Sequence, residues 1–450
     1  MQQADIIVIG SGQGGEPLAK AYAEQGKRAV LFERAAVGGT CVNSGCLPSK
    51  AFLASAHAAH HARTAGDLGI HAQVAVDFPA VMARARAIIE DTRRSVLQGI
   101  EEAGVQLVRG EASFANERMV TGGGVEVEAP LIVINTGASA FIPPIEGLSE
   151  TAYTTYETFW ELDKLPARTI VLGGGYIGLE LGQGLARLGS KVTVIEQEDR
   201  LAAEEETDVS ELVAEALREE GLALHTRATA TRVTTRENGS ICVEMDSGHS
   251  VEGDLLLVAT GRRPNTKALR LEAAGVELDD QGYIRVDKHF RTTTPHIYAI
   301  GDVTGQPAFT HVAWEDYRRL QSILEGGDRT QGDRVLGYAF FIEPQVGRAG
   351  LTLEQARGQG YQARAATMPV TDVARAKLSG QTRGFYRVVI DERSDRILGA
   401  TLVGAESAEL IHILIAHMEA GANWQTLERS VYIHPAFAEG LPTLVRQFGA

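Results

Sequence analysis

The sequence predicts an α/β protein built from two Rossmann-like domains and a C-terminal α+β domain. A strand, a glycine-rich turn, a helix and a second strand follow one another twice along the chain. From about residue 334 this pattern gives way to strands at 386–390 and 397–403 and an apolar helix at 408–420. Glycine is abundant, with 49 among 450 residues, which indicates tight turns around ligands.

The first copy of the pattern lies at the N-terminus. It consists of an apolar strand over residues 5–9, the glycines Gly10, Gly12 and Gly15, a helix-like segment at 18–22, and a strand over 28–32. Glu33 ends that second strand, 23 residues after the first glycine.

The second copy has the same spacing. It consists of a strand over residues 169–172, the glycines Gly173, Gly175 and Gly178, a helix, and a strand over 191–195 that ends at Glu196. One such turn is a weak signal, but two with matching strands, helices and acids predict two dinucleotide sites. In each, the glycines would bring backbone N–H groups to a pyrophosphate at a helix N-terminus, and the acid would bind a ribose.

Extended segments with turn chemistry set the predicted domain limits. Runs that end in Thr-Gly, at 131–137 and 255–261, would close the two Rossmann-like parts. The predicted limits are residues 1–145 for the first domain, 146–263 for the second, 264–333 for a return to the first, and 334–450 for the C-terminal domain.

Composition and charge argue against several classes of protein. The formal net charge of −15, without a basic stripe, argues against nucleic acid as a partner. No apolar run reaches the roughly 18 residues needed to span a bilayer, and the N-terminus lacks the features of a signal peptide. Three cysteines are too few for a secreted disulfide framework. The sequence therefore predicts a cytoplasmic protein that does not bind membranes.

Cys41 and Cys46 lie five positions apart, around Asn43-Ser44-Gly45. In a regular helix, five residues advance about 7.5 Å and rotate about 140°, whereas disulfide Cα atoms lie about 4.4–6.8 Å apart. The two cysteines could therefore bond only across a distorted turn, and such a bond beside a helix start suits easy opening and closing. A catalytic disulfide is preferred over metal or structural use, since a metal needs about four ligands and only Cys242 is left. Cys242 itself is interpreted as an inert, packed thiol.

With these motifs the sequence resembles the FAD-dependent pyridine nucleotide–disulfide oxidoreductases, which include dihydrolipoyl dehydrogenase, glutathione reductase and mercuric reductase. The resemblance covers essentially the whole chain. Its most specific parts are segment 38–50, with both cysteines, and the C-terminal His434-Pro435 followed by Glu439. It implies an FAD-binding first domain, an NAD-binding second domain and a C-terminal dimerisation domain.

The resemblance also implies catalytic roles. Cys46 would be the sulfur near the flavin and Cys41 the one that exchanges with substrate. His434 would be the base for Cys41 of the other subunit in a homodimer, oriented by Glu439. The remaining expected catalytic residues are Lys50 and Glu180, as an ion pair near the flavin ring.

The implied cofactor contacts fall into three sets. For FAD they are Gly10, Gly12, Gly15, Glu33 and Asp302, the last of which could instead cap a turn. For NAD they are Gly173, Gly175, Gly178, Glu196 and Tyr176, which would cover the flavin where nicotinamide enters or serve in packing. Further cofactor positions are Gly39, Thr40, Thr136, Gly137 and Gly261.

Several features bear on the substrate. Glu196, without an adjacent arginine pair, favours the free 2′-OH of NAD and disfavours NADP. The run 174–180 looks like dihydrolipoyl dehydrogenase, whereas the short spacer between Glu33 and Gly38 and the run 373–384 look like mercuric reductase. The chain ends at 446–450 without the vicinal cysteines of the usual mercury reductases.

We therefore expect a small-molecule disulfide or dithiol as substrate, as in dihydrolipoyl dehydrogenase. A mercuric-reductase-like reduction of a soft metal ion and a flavin-bound redox sensor with little turnover are the alternatives. His57, His60 and His61, at helical spacing, could share a metal, but a solvated helix face is preferred and no metal site is predicted.

Overall fold

The computed structural model describes residues 2–449, so Met1 and Ala450, at the outer limits of the predicted domains, lie outside the described residues. Two parallel sheets with helices occupy the first three quarters of the chain, and a mainly separate antiparallel sheet occupies the last quarter. The predicted fold class is therefore confirmed. The domain limits themselves stay a prediction.

The first parallel sheet has five strands. In spatial order these are Ile297–Ala299, Ile132–Ile134, Ile6–Ile9, Ala29–Glu33 and Gln106–Arg109. All four residues of the central strand are buried, as expected for a parallel sheet that is covered on both faces. Because the strand that starts at Ile297 joins this sheet, the chain returns to the first sheet after it has built the second.

Helices and a small antiparallel sheet complete this part of the molecule. The helices are Gly15–Glu24, Gly39–Asn43, Cys46–Thr64, Phe78–Glu102 and Thr310–Leu324. In spatial order, the strands of this small sheet are Gln2–Gln3, Val125–Glu128, Met119–Gly122 and Ser113–Asn116. The first two strands run parallel to each other, and the other neighbouring pairs are antiparallel.

The second parallel sheet has four strands. In spatial order these are Ala223–His225, Lys191–Ile195, Arg168–Leu172 and Leu255–Val258, with helices Tyr176–Leu188 and Thr207–Glu219. An antiparallel sheet of Ala230–Thr235, Ile241–Met245 and Ser250–Gly253 belongs to the same part of the chain. The short strands Ala138–Ala140 and Arg262–Pro264 pair where the chain crosses between the two parts.

The C-terminal part is an antiparallel sheet with helices. Its strands, in spatial order, are Gly337–Phe340, Val346–Gly350, Ile397–Val403, Phe385–Asp391 and Ala363–Pro369. Its helices are Leu353–Gly358, Ala374–Ser379, Ser407–Glu419, Trp424–Arg429 and Gly440–Val445. Within residues 2–449, no helix is both long enough and apolar enough to cross a bilayer.

The two glycine turns have nearly the same geometry. Gly10 and Gly173 adopt φ angles of +101° and +106°, which side chains rarely tolerate. A Cβ on Gly15 would lie 2.1 Å from the carbonyl oxygen of Gly10, and one on Gly178 would lie 2.3 Å from that of Gly173. Glycine is therefore required where each turn opens and where its helix packs against the turn.

A close contact between two helices joins the two parallel-sheet parts. Helix Cys46–Thr64, which begins at a cysteine of the pair, packs against helix Tyr176–Leu188. A Cβ on Gly184 would lie only 2.4 Å from Cε1 of Phe52. Phe52 is fully buried and packs edge-to-face against Phe159, with ring centroids 5.2 Å apart, so it has no space into which to move.

We expect Gly184→Ala to lower the free energy of unfolding by about 1–3 kcal/mol, because the added methyl overpacks this contact. Gly182→Ala in the same helix is the matched control. A Cβ there would meet its nearest atoms at 3.5 and 3.6 Å, an ordinary contact, and alanine favours a helix over glycine. Chemical denaturation of both variants checks this, and equal stabilities would contradict it.

Candidate active site

One large cavity connects the first glycine turn to the cysteine pair. Its volume is about 1510 Å³, more than the roughly 300–1,000 Å³ of typical ligand pockets, which suits an extended ligand. The residues expected from the sequence that line it are Gly10, Gly12, Glu33, Gly39, Thr40, Cys41, Cys46, Lys50, Thr136, Gly137, Tyr176, Glu180 and Asp302. The expected residues outside its lining are Gly15, Gly173, Gly175, Gly178, Glu196, Gly261, His434 and Glu439.

The chain folds back sharply between the two cysteines. Cys41 lies in the short helix Gly39–Asn43, and Cys46 begins helix Cys46–Thr64. The carbonyl oxygen of Thr40 accepts hydrogen bonds from the backbone N–H groups of Ser44 and Gly45, at 2.9 and 2.6 Å. A Cβ on Gly45 would lie 3.0 Å from that oxygen, so a side chain there would crowd the turn. The distorted turn inferred from the spacing is present.

The two thiols are not bonded to each other in the structure, and they share a hydrogen bond. That bond is the largest cause of a pKa of about 6 for Cys46, to which Thr310 and Lys50 also contribute, while burial opposes the shift. The same bond, followed by burial, raises the pKa of Cys41. The geometry therefore favours a thiolate at Cys46 and a protonated thiol at Cys41.

Lys50 and Glu180 form an ion pair beside the cysteines. Nζ of Lys50 lies 2.7 Å from Oε2 of Glu180, whose side chain is only 4% exposed. The other carboxylate oxygen accepts a hydrogen bond from the backbone N–H of Phe341 at 2.9 Å, and the ammonium lies 4.6 Å from the centroid of the Phe341 ring. Removing the charge of Lys50 would leave the buried carboxylate of Glu180 without its ion-pair partner, which is destabilising, whereas the Lys50 side chain is 35% exposed.

Tyr176 belongs to a stack of aromatic rings at the cavity wall. It begins helix Tyr176–Leu188, and its ring centroid lies 5.9 Å from Phe340 and 5.5 Å from Phe309. Phe309 in turn stacks on Tyr338, with centroids 5.2 Å apart and planes 7° apart. Burial raises the pKa of Tyr176 to about 12, so the ring stays neutral. Tyr176 therefore both packs and lines the cavity.

The residues around the first glycine turn fit a bound dinucleotide. Oε2 of Glu33 accepts hydrogen bonds from the backbone N–H and the hydroxyl of Ser11, at 3.0 and 2.7 Å, which fixes the acid at the turn. A Cβ on Gly39 would lie 2.6 Å from Cα of Gly12, so the cysteine segment touches the turn closely. A Cβ on Gly12 would have one group within 3.4 Å, the side chain of Asn135. The backbone of Gly12 is otherwise open, so a pyrophosphate could approach it.

The second glycine turn repeats this arrangement. Oε2 of Glu196 accepts a hydrogen bond from the backbone N–H of Gly174 at 2.5 Å, and Oε1 accepts one from Glu198 at 2.8 Å. A Cβ on Gly175 would meet no atom within 4 Å, which leaves open space for a ligand. The donor set thus fits a second dinucleotide, with the Glu196 carboxylate fixed at the turn.

Three contacts with these residues were not predicted from the sequence. Asp302 pairs with Arg262 at 2.8 Å, and the side chain of Asn135 accepts a hydrogen bond from the backbone N–H of Gly15 at 2.8 Å. The Thr310 hydroxyl lies 3.0 Å from Sγ of Cys46. Arg262 and Asn135 stand in motifs that the sequence shows, but Thr310 has no local signal.

His434 and Glu439 lie close together but outside the cavity. Nδ1 of His434 is 2.8 Å from Oε2 of Glu439, and the histidine side chain is 74% exposed. Val431 and Ile433, just before it, are 99% and 84% exposed. In the described chain, this histidine is therefore presented on the surface beside uncovered apolar side chains.

The histidine cluster differs from the prediction. Nδ1 of His57 and Nε2 of His61 lie 3.7 and 3.0 Å from the same carboxylate oxygen of Glu343. The side chain of His57 is only 19% exposed and His60 is half-buried, so the prediction of a solvated helix face is wrong for both. No group of three or more His, Cys, Asp or Glu side chains suited to a metal occurs within residues 2–449.

Cys242 is buried, as expected for a packed thiol. It lies in strand Ile241–Met245 and is 1% exposed. Its sulfur accepts a hydrogen bond from Nη2 of Arg236 at 3.1 Å.

Two family models match the chain. The model described as pyridine nucleotide-disulphide oxidoreductase matches residues 4–316, and the model for the dimerisation domain of the same family matches residues 337–445. Together they cover both parallel-sheet parts and the C-terminal part.

Several curated relatives align over nearly the whole chain. A mercuric reductase of Bacillus cereus is 35% identical over 99% of this chain and 71% of its own length. RclA of Escherichia coli strain K12, a probable pyridine nucleotide-disulfide oxidoreductase, is 33% identical over 99% of both chains. A dihydrolipoyl dehydrogenase of Haloferax volcanii is 34% identical over 97% of this chain and 94% of its own.

A solved structure shares the fold. The Cu(II) complex of the HOCl-induced flavoprotein disulfide reductase RclA from Escherichia coli matches with a TM-score of 0.90 and 32% identity. The match covers 98% of this chain and 99% of that one.

The fold and site define a flavoprotein with two dinucleotide sites and a redox-active cysteine pair. The chain belongs to the pyridine nucleotide-disulphide oxidoreductase family. It is accordingly an oxidoreductase that uses FAD and a pyridine nucleotide, as the resemblance implied, and its dimerisation domain supports a homodimer.

We expect NADH to be preferred over NADPH by about tenfold or more in kcat/KM, because Glu196 would face the extra phosphate of NADPH; each tenfold corresponds to about 1.4 kcal/mol. Glu196→Gln removes the negative charge and should lower the ratio of kcat/KM for NADH to kcat/KM for NADPH. Glu198→Gln is the matched control, since this neighbouring acid is exposed. Steady-state kinetics with both nucleotides check this, and equal kcat/KM values for the unmodified protein would contradict it.

Proposed function

We propose that this enzyme passes electrons between NAD(H) and a small disulfide or dithiol through Cys41 and Cys46, as dihydrolipoyl dehydrogenase does. The observation that supports this most directly is the adjacent thiol pair with opposed pKa shifts on the wall of the large cavity. Such a pair contains one sulfur that is already a thiolate near neutral pH and one thiol that a base must deprotonate. The supporting ion pair of Lys50 and Glu180 would place a positive charge near negative charge that develops in the cavity.

FAD, when bound, supplies the two-electron link between the nicotinamide and the cysteine pair. Our proposal for this chain is that the first glycine turn with Glu33 and Asp302 holds FAD, and that the second with Glu196 holds the nicotinamide dinucleotide. Tyr176, on the cavity wall, would cover the flavin where the nicotinamide enters. These assignments are supported by the glycine geometry and by the carboxylates that are fixed at each turn.

The cysteines exchange with the substrate in two balanced steps. The Cys41 thiolate attacks one sulfur of the substrate disulfide, forms a mixed disulfide and expels the other half as a thiolate, which takes up a proton. The Cys46 thiolate then attacks the sulfur of Cys41, closes the Cys41–Cys46 disulfide and releases the second half. The substrate gains two electrons and the cysteine pair loses them.

The first of these steps needs a base, because the pKa of Cys41 is raised. His434 suits this role, since the Glu439 carboxylate lies 2.8 Å from Nδ1 and would leave Nε2 to exchange a proton. In the described chain His434 does not line the cavity that contains Cys41. We therefore propose that it serves Cys41 of the partner subunit, across an interface that covers Val431 and Ile433 in a homodimer.

A soft metal ion is the second candidate substrate. Mercuric reductases of Bacillus cereus and Streptomyces lividans are 35% and 36% identical to this chain over 99% of its length. A dithiol in a cavity could also bind Hg(II) or Cu(II) as a substrate. The number of cysteines argues against a metal ion as substrate. The chain has only one cysteine besides the pair, and that one is buried.

A substrate panel separates these possibilities. With NADH, we expect turnover with lipoamide or another small disulfide, and Cys41→Ser should reduce it to background because the exchanging sulfur is lost. Reduction of a quinone, which needs no cysteine, should persist in this variant. Cys242→Ser is the control and should retain all activities. Rapid reduction of Hg(II) or Cu(II) without turnover of any disulfide would instead favour the metal-ion substrate, and no turnover with any acceptor would favour a redox sensor.

The shared site is tested by mixing two inactive chains. His434→Ala should lower disulfide turnover by about 10²–10⁴, the usual contribution of a general acid–base, and leave quinone reduction intact. Mixing it with Cys41→Ser should restore activity if the site is shared. Random exchange makes about half of the dimers hybrid with one intact site each, so about a quarter of the original activity should return. Without any recovery, after tagged subunits have shown that exchange occurred, the base would have to act within its own chain.

A further inference from the structure

Two helix N-termini converge on the sulfur of Cys46. Cys46 is the first residue of the 19-residue helix Cys46–Thr64, and Thr310 is the first residue of the 15-residue helix Thr310–Leu324. The Thr310 hydroxyl lies 3.0 Å from Sγ of Cys46, although the two residues are 264 positions apart in sequence. Helix N-termini carry partial positive charge, so both helices favour negative charge on this sulfur.

The ammonium group that lowers the pKa of Cys46, that of Lys50, is engaged elsewhere. Lys50 lies one helical turn after Cys46, but its ammonium pairs with Glu180 at 2.7 Å and lies against the Phe341 ring. It therefore acts on the sulfur at longer range, and Glu180 partly offsets it. The side chains that hydrogen-bond directly to the Cys46 sulfur are those of Cys41 and Thr310.

Cys41 and Thr310 differ in whether they can donate a hydrogen bond to the Cys46 sulfur throughout the exchange reaction. A thiolate carries no proton, so at Cys46 it can only accept, and the Thr310 hydroxyl must donate. Cys41 loses its proton to the base and then forms a bond to the substrate sulfur, so it can no longer donate. Thr310 is then the remaining side-chain donor to the Cys46 sulfur.

We propose that Thr310 is a positioning residue, which holds the Cys46 thiolate in place by a hydrogen bond while Cys41 is occupied by substrate. This inference rests on the proposed function, because it requires Cys46 to act as a thiolate. A hydrogen bond to a charged group favours the charged form, so its loss should raise the pKa of Cys46.

The test measures the ionisation of Cys46 in the full-length, FAD-loaded protein. A Cys41→Ala background leaves one titrating thiol in the site and reproduces the stage at which residue 41 cannot donate a hydrogen bond. The long-wavelength absorbance of a thiolate beside bound flavin is recorded against pH, and the rate of alkylation by iodoacetamide at Cys46 is followed in parallel by mass spectrometry.

Thr310→Val should raise the pKa of Cys46 by about one to two pH units, the range expected for one hydrogen bond to a charged group. Thr310→Ser keeps the hydroxyl and should restore a value near that of the Cys41→Ala background. Thr92→Val is the control, because the hydroxyl of Thr92 donates within its own helix, to Ile88 at 2.8 Å. Should Thr310→Val not fold, Thr310→Ala takes its place in the comparison with Thr310→Ser.

The two hypotheses fail in different ways. If the long-wavelength band of the reduced protein with Cys41 in place titrates at the ordinary value of a cysteine, about 8.5, the thiolate that the proposed function needs is absent, and the role of Thr310 is lost with it. If that pKa is low, and Thr310→Val or Thr310→Ala leaves the pKa of Cys46 in the Cys41→Ala background unchanged, the proposed function stands and the role of Thr310 is overturned.

Discussion

The close packing of helix Cys46–Thr64 against helix Tyr176–Leu188 is the contact on which the site depends. Gly184 allows the second helix to approach the fully buried ring of Phe52. This approach places Glu180 within 2.7 Å of Lys50, one turn after Cys46. The same helix carries Tyr176 at its start, so one contact sets the positions of the ion pair, the aromatic wall and the cysteine turn relative to one another.

The segment at 341–343 completes this assembly. The backbone N–H groups of Phe341 and Glu343 donate to the side chains of Glu180 and Gln183, at 2.9 Å each. The Glu343 carboxylate then meets Arg187 and the histidines on the cysteine helix. Burial opposes its ionisation, but the hydrogen bond with His61 and the charge of Arg187 lower the pKa of Glu343 to about 2. Three separate parts of the chain are thus joined along the length of two helices.

One structural unit is used twice for different purposes. Both glycine turns close against the carbonyl oxygen of a neighbouring strand end, at Asn135 in the first copy and at Ala259 in the second. In the first copy the Asn135 side chain also accepts from Gly15 and donates to the carbonyl of Ile300, which joins the turn to the returning strand. The first copy can therefore form one cavity with the cysteines, whereas the second copy reaches that cavity through Tyr176.

The sequence alone determined the fold class, the two nucleotide turns and the distorted cysteine turn, because these depend on local backbone geometry that glycine spacing and strand periodicity report. It also identified Lys50, Glu180, His434 and Glu439 through motifs, and the structure brings each pair together. Only the tertiary structure decided that Thr310 meets Cys46, that Arg262 meets Asp302, and that His57 and His61 lie beside the same carboxylate oxygen of Glu343. These contacts join residues far apart in the chain, and helix packing that brings them together leaves no periodic signal in the sequence.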